Sequence, residues 1–217
     1  MRYELVIFDL DGTLLNTLDD LADAANAALT EAGLPPRTTE EIRTFIGNGV
    51  ARLIRRAVPV GTSEDTIAAL IQRFKEIYIK NVNVKTRPYP GIPALLDAMA
   101  AAGVKAAVNS NKVDAATNLL CQAHFGDRIA LALGEREGIP KKPVPDGARL
   151  IMQALGAAPE RTLYVGDGDA DLRTAENAGI DCAWVSWGYR RREELDGIPI
   201  PRAFDTVQTL GNYILGA

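Results

Sequence analysis

Four apolar residues, Leu5-Val6-Ile7-Phe8, run straight into Asp9-Leu10-Asp11-Gly12-Thr13, and this junction constrains the fold most. A short β-branched and aromatic run reads as a strand buried on both faces, as in parallel sheets. Its acidic end then lies at the carboxyl edge of the strand, where open α/β sheets bind ligands. If extended backbone persists to Asp11, the two carboxylates point to the same side. Like charges so placed repel unless a cation or a shared proton resolves the conflict. Asp and Gly are also ordinary turn residues, so the junction calls for corroboration elsewhere in the chain.

Downstream, the pattern first becomes helical. Thr17 with Asp20 three residues on resembles a capping box, and Leu18, Leu21, Ala22, Ala25, Ala28, Leu29 and Ala32 recur at helical spacing. Gly33, Pro35 and Pro36 end that helix, and Thr38 with Glu41 opens a second that breaks at Gly47-Asn48-Gly49. A third spans Val50 to Val58, and Ser63 precedes a fourth with a single apolar stripe through Ile67, Leu70, Ile71, Phe74, Ile77 and Tyr78. Residues 15–85 thus read as an all-helical insert without a strand, placed just after the first strand.

From Arg87-Pro88-Tyr89-Pro90-Gly91 onward, helices alternate with short apolar strands. The expected strands are 104–108, 129–133, 162–165 and 181–185; the expected helices are 92–102, 112–123, 146–155, 170–178 and 207–215, with a loop over 187–201. Such alternation implies right-handed parallel crossovers that leave all strand ends on one edge. The expected fold is therefore α/β: a three-layer Rossmann-like parallel sheet core, residues 1–14 and 86–217, with an inserted α-helical cap domain, residues 15–85.

Composition narrows the function. A chain of 217 residues with 47% hydrophobic residues can bury a sizeable core. A net charge of -4 provides no global field for nucleic acid or anionic lipid. No apolar run approaches a membrane span, and Met1 to Glu4 lack the features of a signal peptide. A cytoplasmic protein is expected, without nucleic-acid or membrane partners. Cys121 and Cys182 lack metal-ligand spacing and read as small core residues; His124, the single histidine, reads as structural.

Polar chemistry should recur at other strand ends, and three places meet that test. Asn109-Ser110-Asn111 follows one strand and opens an expected helix, where a hydroxyl and free N–H groups can hold a phosphate oxygen. An N-cap alone would use the same residues. Lys142, between Lys141 and Pro143, lies in a loop stiffened by Pro143 and Pro145; an ammonium fixed there would keep nearby carboxylates ionised and pair with phosphate. The third place is Val165-Gly166-Asp167-Gly168-Asp169-Ala170-Asp171. As an EF-hand loop from Asp167 it would need Gly and Glu where Leu172 and Ala178 stand. A dinucleotide fingerprint would need glycine at Asp171, and no Gly-Lys-Ser or Gly-Lys-Thr occurs. What remains is an oxygen-ligand site for a hard cation, for which Mg²⁺ is the natural occupant.

In this order, Asp9-Leu10-Asp11-Gly12-Thr13, Ser110-Asn111, Lys142-Pro143 and Gly166-Asp167 with Asp171 resemble the four motifs of the haloacid dehalogenase superfamily. The helical insert resembles that family's cap. Phe45-Ile46-Gly47-Asn48-Gly49-Val50 and Pro88-Tyr89-Pro90-Gly91 are similar to the phosphoglycolate phosphatase branch. The resemblance implies a phosphatase of a small phosphorylated metabolite. Asp9 would be the nucleophile that takes the phosphoryl group, and Asp11 the acid and then the base. Mg²⁺ would be held by Asp9, the Asp11 carbonyl and Asp167, with Asp171 supporting a water or Lys142. Ser110, Asn111 and Lys142, beside Gly12 and Thr13, would hold the phosphate. The superfamily's dehalogenases lack the second Asp, so halide displacement is disfavoured. Gly168 and Asn109 depart from the commoner residues at their positions without removing a mechanistic group.

Specificity is expected in the cap. Gly47, Asn48 and Gly49 are candidates for a substrate-facing turn, or else a plain interhelical turn. Arg52, Arg55 and Arg56 could reach a substrate carboxylate, or be solvated. Competing readings are a phosphosugar mutase or a pyrophosphatase on the same core, a phosphoacceptor signalling module, and a non-catalytic binding subunit. Either a monomer or a homodimer fits the sequence.

Overall fold

The structure is a computed structural model describing residues 2–195 and 197–216. Met1 and Ala217, which bound the expected core, and Asp196, within the expected loop, lie outside the described residues. In chain order, β1 (Leu5–Phe8) and β2 (Leu15–Asn16) lead into four helices: α1 (Leu18–Glu31), α2 (Thr39–Phe45), α3 (Val50–Ala57) and α4 (Glu64–Asn81). Then come β3 (Arg87–Pro88), α5 (Ile92–Ala101), β4 (Lys105–Val113), α6 (Asp114–Phe125), β5 (Leu131–Glu135) and α7 (Asp146–Leu155). The chain closes with β6 (Thr162–Gly166), α8 (Asp169–Ala178), β7 (Asp181–Val185), β8 (Ala203–Phe204) and α9 (Val207–Leu215).

The main sheet has the order β5-β4-β1-β6-β7-β8 with parallel pairing throughout. The order reverses at β1, which places the Asp9 junction between β4 and β6, at the switch point of an open sheet. All four β1 side chains are fully buried. Leu5 and Ile7 pack on one face with Ile151, Leu172 and Ala175; Val6 and Phe8 pack on the other with Met99, Leu120 and Leu210. Each buried side chain of this size contributes about 1.5–3 kcal/mol. These are the three layers expected, helices on both faces of a parallel sheet. In the inserted bundle, the small-residue stripe of α1 lies against α4, whose Ile67, Leu70 and Phe74 are buried. Cys121 and Cys182 are buried free thiols.

The insert is not strand-free. Leu15 pairs antiparallel with Pro88 and Asn16 with Arg87, and Tyr89 N–H donates to Leu14 O at 3.1 Å. The chains leading into and out of the bundle pass side by side, and pairing satisfies their backbone groups.

The Thr17–Asp20 capping box is also absent. Thr17 flanks α1 but its side chain makes no cap hydrogen bond, and its Oγ1 donates to Asp11 Oδ1 at 2.7 Å. Asp20 turns instead to the returning chain, accepting from the N–H groups of Val84, Lys85 and Thr86 at 2.8–3.1 Å. The Thr38–Glu41 box does form.

The third correction matters for chemistry. β4 continues to Val113 and the next helix begins at Asp114, so Ser110, Asn111 and Lys112 are strand residues rather than a helix N-terminus. The register shifts between Asn109 and Val113. Gly134 on β5 permits this close lie, since a Cβ there would sit 2.5 Å from Asp114 Cα and 2.7 Å from Lys112 O. β5 itself starts two residues later than expected, and β8 follows the loop after β7.

Candidate active site

Extended backbone does not persist past β1. The chain turns at Leu10, whose carbonyl accepts from the N–H groups of Thr13, Leu14 and Leu15, and Gly12 adopts φ +88°. The extended backbone that would align Asp9 and Asp11 therefore ends at Phe8, and their carboxylates go to different partners although both line one cavity.

Asp9 joins Asp167 and Asp171. One carboxylate oxygen from each lies within 4.8 Å of the others, and all three residues are buried. Lys142 Nζ reaches Asp9 Oδ1 at 2.8 Å and Asp171 Oδ1 at 2.6 Å. Lys141 pairs instead with Glu135 at 2.7 Å, which separates the two candidate lysines. Asp171 also accepts from Gly168 N–H at 3.0 Å, and Asp167 from Tyr189 N–H at 2.6 Å and Thr13 Oγ1 at 3.3 Å. Glycine is required around Asp167: a Cβ on Gly12 would stand 2.6 Å from its Oδ2, and one on Gly188 2.3 Å from its Cβ.

Burial dominates the electrostatics. It pushes Asp9 up to about 7, with Lys142 opposing and Asp171 adding to the rise. Burial likewise pushes Asp167 up to about 6, with Asp9 adding, and raises Asp171 against the pull of Lys142. Burial alone pulls Lys142 down, but Asp171 and Asp9 outweigh it and hold the ammonium. Three carboxylates against one ammonium leave a formal charge of two minus in a buried all-oxygen pocket. That donor set and that charge fit a hard divalent cation.

A proton linkage follows. Asp9 and Asp167 bind protons in the folded chain up to about pH 7 and 6, against about 3.9 when unfolded. The folded state therefore holds the extra protons, and metal-free stability falls as pH rises through that window. Divalent-cation affinity should rise over the same window and level off above it, with protons released on binding at about pH 6.5. Titration calorimetry in buffers of different ionisation heat measures this; an affinity flat from about pH 5 to 8 contradicts it.

Asp11 faces the inserted helical bundle. Its Oδ1 accepts from Thr17 Oγ1, and both its oxygens lie 2.9 Å from Lys112 Nζ. A cavity of about 340 Å³ lies between the sheet edge and the bundle; Asp9, Asp11, Ser110 and Lys112 line its floor, and Leu53 and Phe74 are among its apolar walls. Asn111 lines it too, while its side chain fixes neighbouring backbone: Nδ2 donates to Gly47 O at 3.3 Å and Lys142 O at 3.2 Å, and Oδ1 accepts from Lys142 N–H at 2.8 Å. Gly47 and Gly49 border this cavity, whereas Asn48 lines an adjoining cleft with Arg52, Arg56 and Arg190. Arg56 donates to Thr44 O at 3.1 Å and Arg55 pairs with Glu64 at 2.6 Å, so neither extends into the cavity.

Several contributors escape a reading of sequence alone. Tyr189, in the expected loop, donates its N–H to Asp167 and bonds Thr17 through its hydroxyl. Its neighbour Arg190 donates to Ile46 O and Arg43 O, and Arg43 to Tyr189 O and Glu194. This loop thus ties an acidic site residue to the inserted helices, at α2. Lys112 stands next to a recognised motif, the one signal that could have found it.

The sequence profile of the haloacid dehalogenase-like hydrolases matches residues 6–185. A phosphoglycolate phosphatase of Aquifex aeolicus is 32% identical over 97% of this chain and 98% of its own. An N-acetylmuramic acid 6-phosphate phosphatase of Pseudomonas aeruginosa is 31% identical over 89% of this chain and 86% of its own. The crystal structure of a candidate phosphoglycolate phosphatase from Lactobacillus delbrueckii subsp. bulgaricus superposes with a TM-score of 0.94 at 32% identity, covering all of both chains.

Proposed function

The chain belongs to the haloacid dehalogenase-like hydrolase family, and from that premise we propose that it is a Mg²⁺-dependent phosphatase of small phosphorylated metabolites. Phosphoglycolate, the substrate named in several relatives, is the first ester to try. The observation that carries this reading is the convergence of buried Asp9, Asp167 and Asp171 on one ammonium, Lys142, at the switch point of the sheet.

Asp9 attacks phosphorus and becomes an aspartyl-phosphate, splitting one hard displacement into two. Asp11 gives a proton to the leaving oxygen and later takes one from the attacking water. Ser110, the Asn111 backbone and Lys142 hold the transferring oxygens, with Gly12 and Thr13 shaping the turn beside them. Asp9, Asp167 and the Asp11 carbonyl would hold Mg²⁺, while Asp171 anchors Lys142. The bound cation supplies charge neutralisation, which a reaction between two anions needs. Gly47, at the border of the cavity, meets the leaving group from the cap, while Asn48, expected beside it, lies in the adjoining cleft. The two apolar cysteine sites and the lone His124, bonded to Asn83 at 2.7 Å, take no part.

No described helix is long and apolar enough to cross a membrane; the reading places the enzyme in the cytoplasm, acting on soluble metabolites as a monomer or homodimer. A phosphate-release screen over phosphorylated metabolites, with Mg²⁺ and with chelator, tests it. Release from phosphoglycolate or a similarly small monoester, lost on chelation, is expected. Activity confined to pyrophosphate, or isomerisation of a sugar phosphate without release, would replace the reading by one of its competitors.

A further inference from the structure

Lys112 is a lysine whose side chain is 3% exposed, standing on the floor of the cavity. Its ammonium donates to both oxygens of Asp11 at 2.9 Å and lies 4.6 Å from the centre of the Tyr78 ring, on α4 of the cap. Burying such a charge carries a desolvation cost that pairing must repay, and an apolar residue in its place is often neutral or better for stability. Stability alone therefore gives no reason for a lysine here. Among the described residues, its ammonium touches Asp11 and the aromatic face, not the Asp9–Asp167–Asp171–Lys142 group.

The geometry of the contact is specific. Thr17 and Lys112 grip the Asp11 carboxylate from two sides, one from the turn into α1 and the other from the extended end of β4. A carboxylate on a short side chain has two rotatable bonds, and these donors fix both. The Tyr78 ring closes the cap side of the ammonium, so Lys112 is held as well as holding.

We propose that Lys112 is a positioning residue for Asp11, setting the carboxylate against the ester oxygen. The inference rests on the reading of Asp11 as proton donor. In the step concerned, the Asp9–phosphorus bond forms and the ester phosphorus–oxygen bond breaks. The leaving oxygen takes the Asp11 proton and departs as an alcohol. Asp11 remains as the carboxylate facing Lys112, the arrangement found in the structure. A misplaced proton donor costs most where the departing oxygen must be protonated, so Lys112 matters in proportion to how much the leaving group needs a proton.

An alkyl phosphate needs that proton, and p-nitrophenyl phosphate, with its acidic phenol, hardly does. The test compares kcat/KM for these two esters, with Mg²⁺, in the native chain, Asp11→Asn, Lys112→Met and Lys112→Arg. Lys112→Met is expected to lose roughly 10²-fold on the alkyl ester and no more than about fivefold on the aryl ester. Lys112→Arg, which keeps two donors, should recover part of the alkyl activity. A Lys112→Met variant that loses equally on both esters, or on neither, overturns the proposal, provided Asp11→Asn shows the split. If Asp11→Asn shows no split, the proton-donor reading of Asp11 itself fails and takes this inference with it. Measurable aryl ester activity certifies that the variants are folded.

Discussion

Replacing Asp9 by Asn is expected to reduce kcat by roughly 10⁴-fold or more with every ester, the scale on which loss of a covalent nucleophile is felt. An amide has nearly the shape of a carboxylate but neither its charge nor its nucleophilic oxygen. The effect on the fold should run the other way. Burial pushes Asp9 up to about 7, which means that the folded chain disfavours the ionised form. A neutral amide removes that penalty, while Lys142 keeps Asp171 at 2.6 Å. The metal-free variant should therefore melt no lower than the native chain at about pH 8. An inactive protein of undiminished stability assigns the loss to chemistry; residual turnover within tenfold of native contradicts the nucleophile's role.

The second large effect concerns Lys142. Its ammonium is the one cation within hydrogen-bond distance of Asp9 and Asp171 among the described residues, and its side chain is 2% exposed. Lys142→Met leaves three buried carboxylates facing one another. Removing one partner from a buried ion pair costs about 3–5 kcal/mol, or roughly 6–20 °C in Tm for a chain of this size. The loss should be largest in chelator at about pH 8 and smaller near pH 5.5, where the raised carboxylates take up protons. Mg²⁺ should restore part of it, while turnover stays low because a transferring phosphoryl group has lost its cation. Thermal melts at the two pH values, with and without Mg²⁺, measure this. A melt unchanged at pH 8 in chelator would show that Lys142 carries no such burden.

The parts of the molecule that sequence exposes are those where local pattern and tertiary role agree. Buried parallel strands read as unbroken apolar runs, so Leu5–Phe8, Thr162–Gly166 and Asp181–Val185 stand out. Asp9, Asp167 and Lys142 follow once their strand ends share an edge, because parallel crossovers leave no other arrangement. Asn109-Ser110-Asn111-Lys112 defeats this logic. Four polar residues after Val108 look like a helix start, yet they are buried strand, held by a register shift and by the absence of a side chain at Gly134. Strand propensity is largely context, and the context here is the site itself. Lys112 consequently reads as the first residue of a helix, and Tyr78 as one more member of an apolar stripe.

Asp20 and Tyr189 were hidden for a different reason. Asp20 has the spacing of a cap but serves the Val84–Thr86 backbone some 64 residues later. Tyr189 sits in a segment with no periodicity, yet it joins Asp167 to Thr17. Long-range polar pairing leaves no mark on local spacing.

Transfer of the phosphoryl group to Asp9 itself is open to direct measurement. Enzyme, Mg²⁺ and p-nitrophenyl phosphate, whose phenol leaves without a donated proton, are mixed, stopped in acid within the first turnover, and digested, and the peptide containing Asp9 is weighed. Asp11→Asn, in which water is no longer activated, is run beside the native chain to let the intermediate accumulate. One phosphoryl group on Asp9 is expected in both, and none when Asp9 is Asn. Phosphate release at full rate with Asp9 unmodified, or a phosphoryl group carried on Asp167 or Asp171 instead, would contradict it.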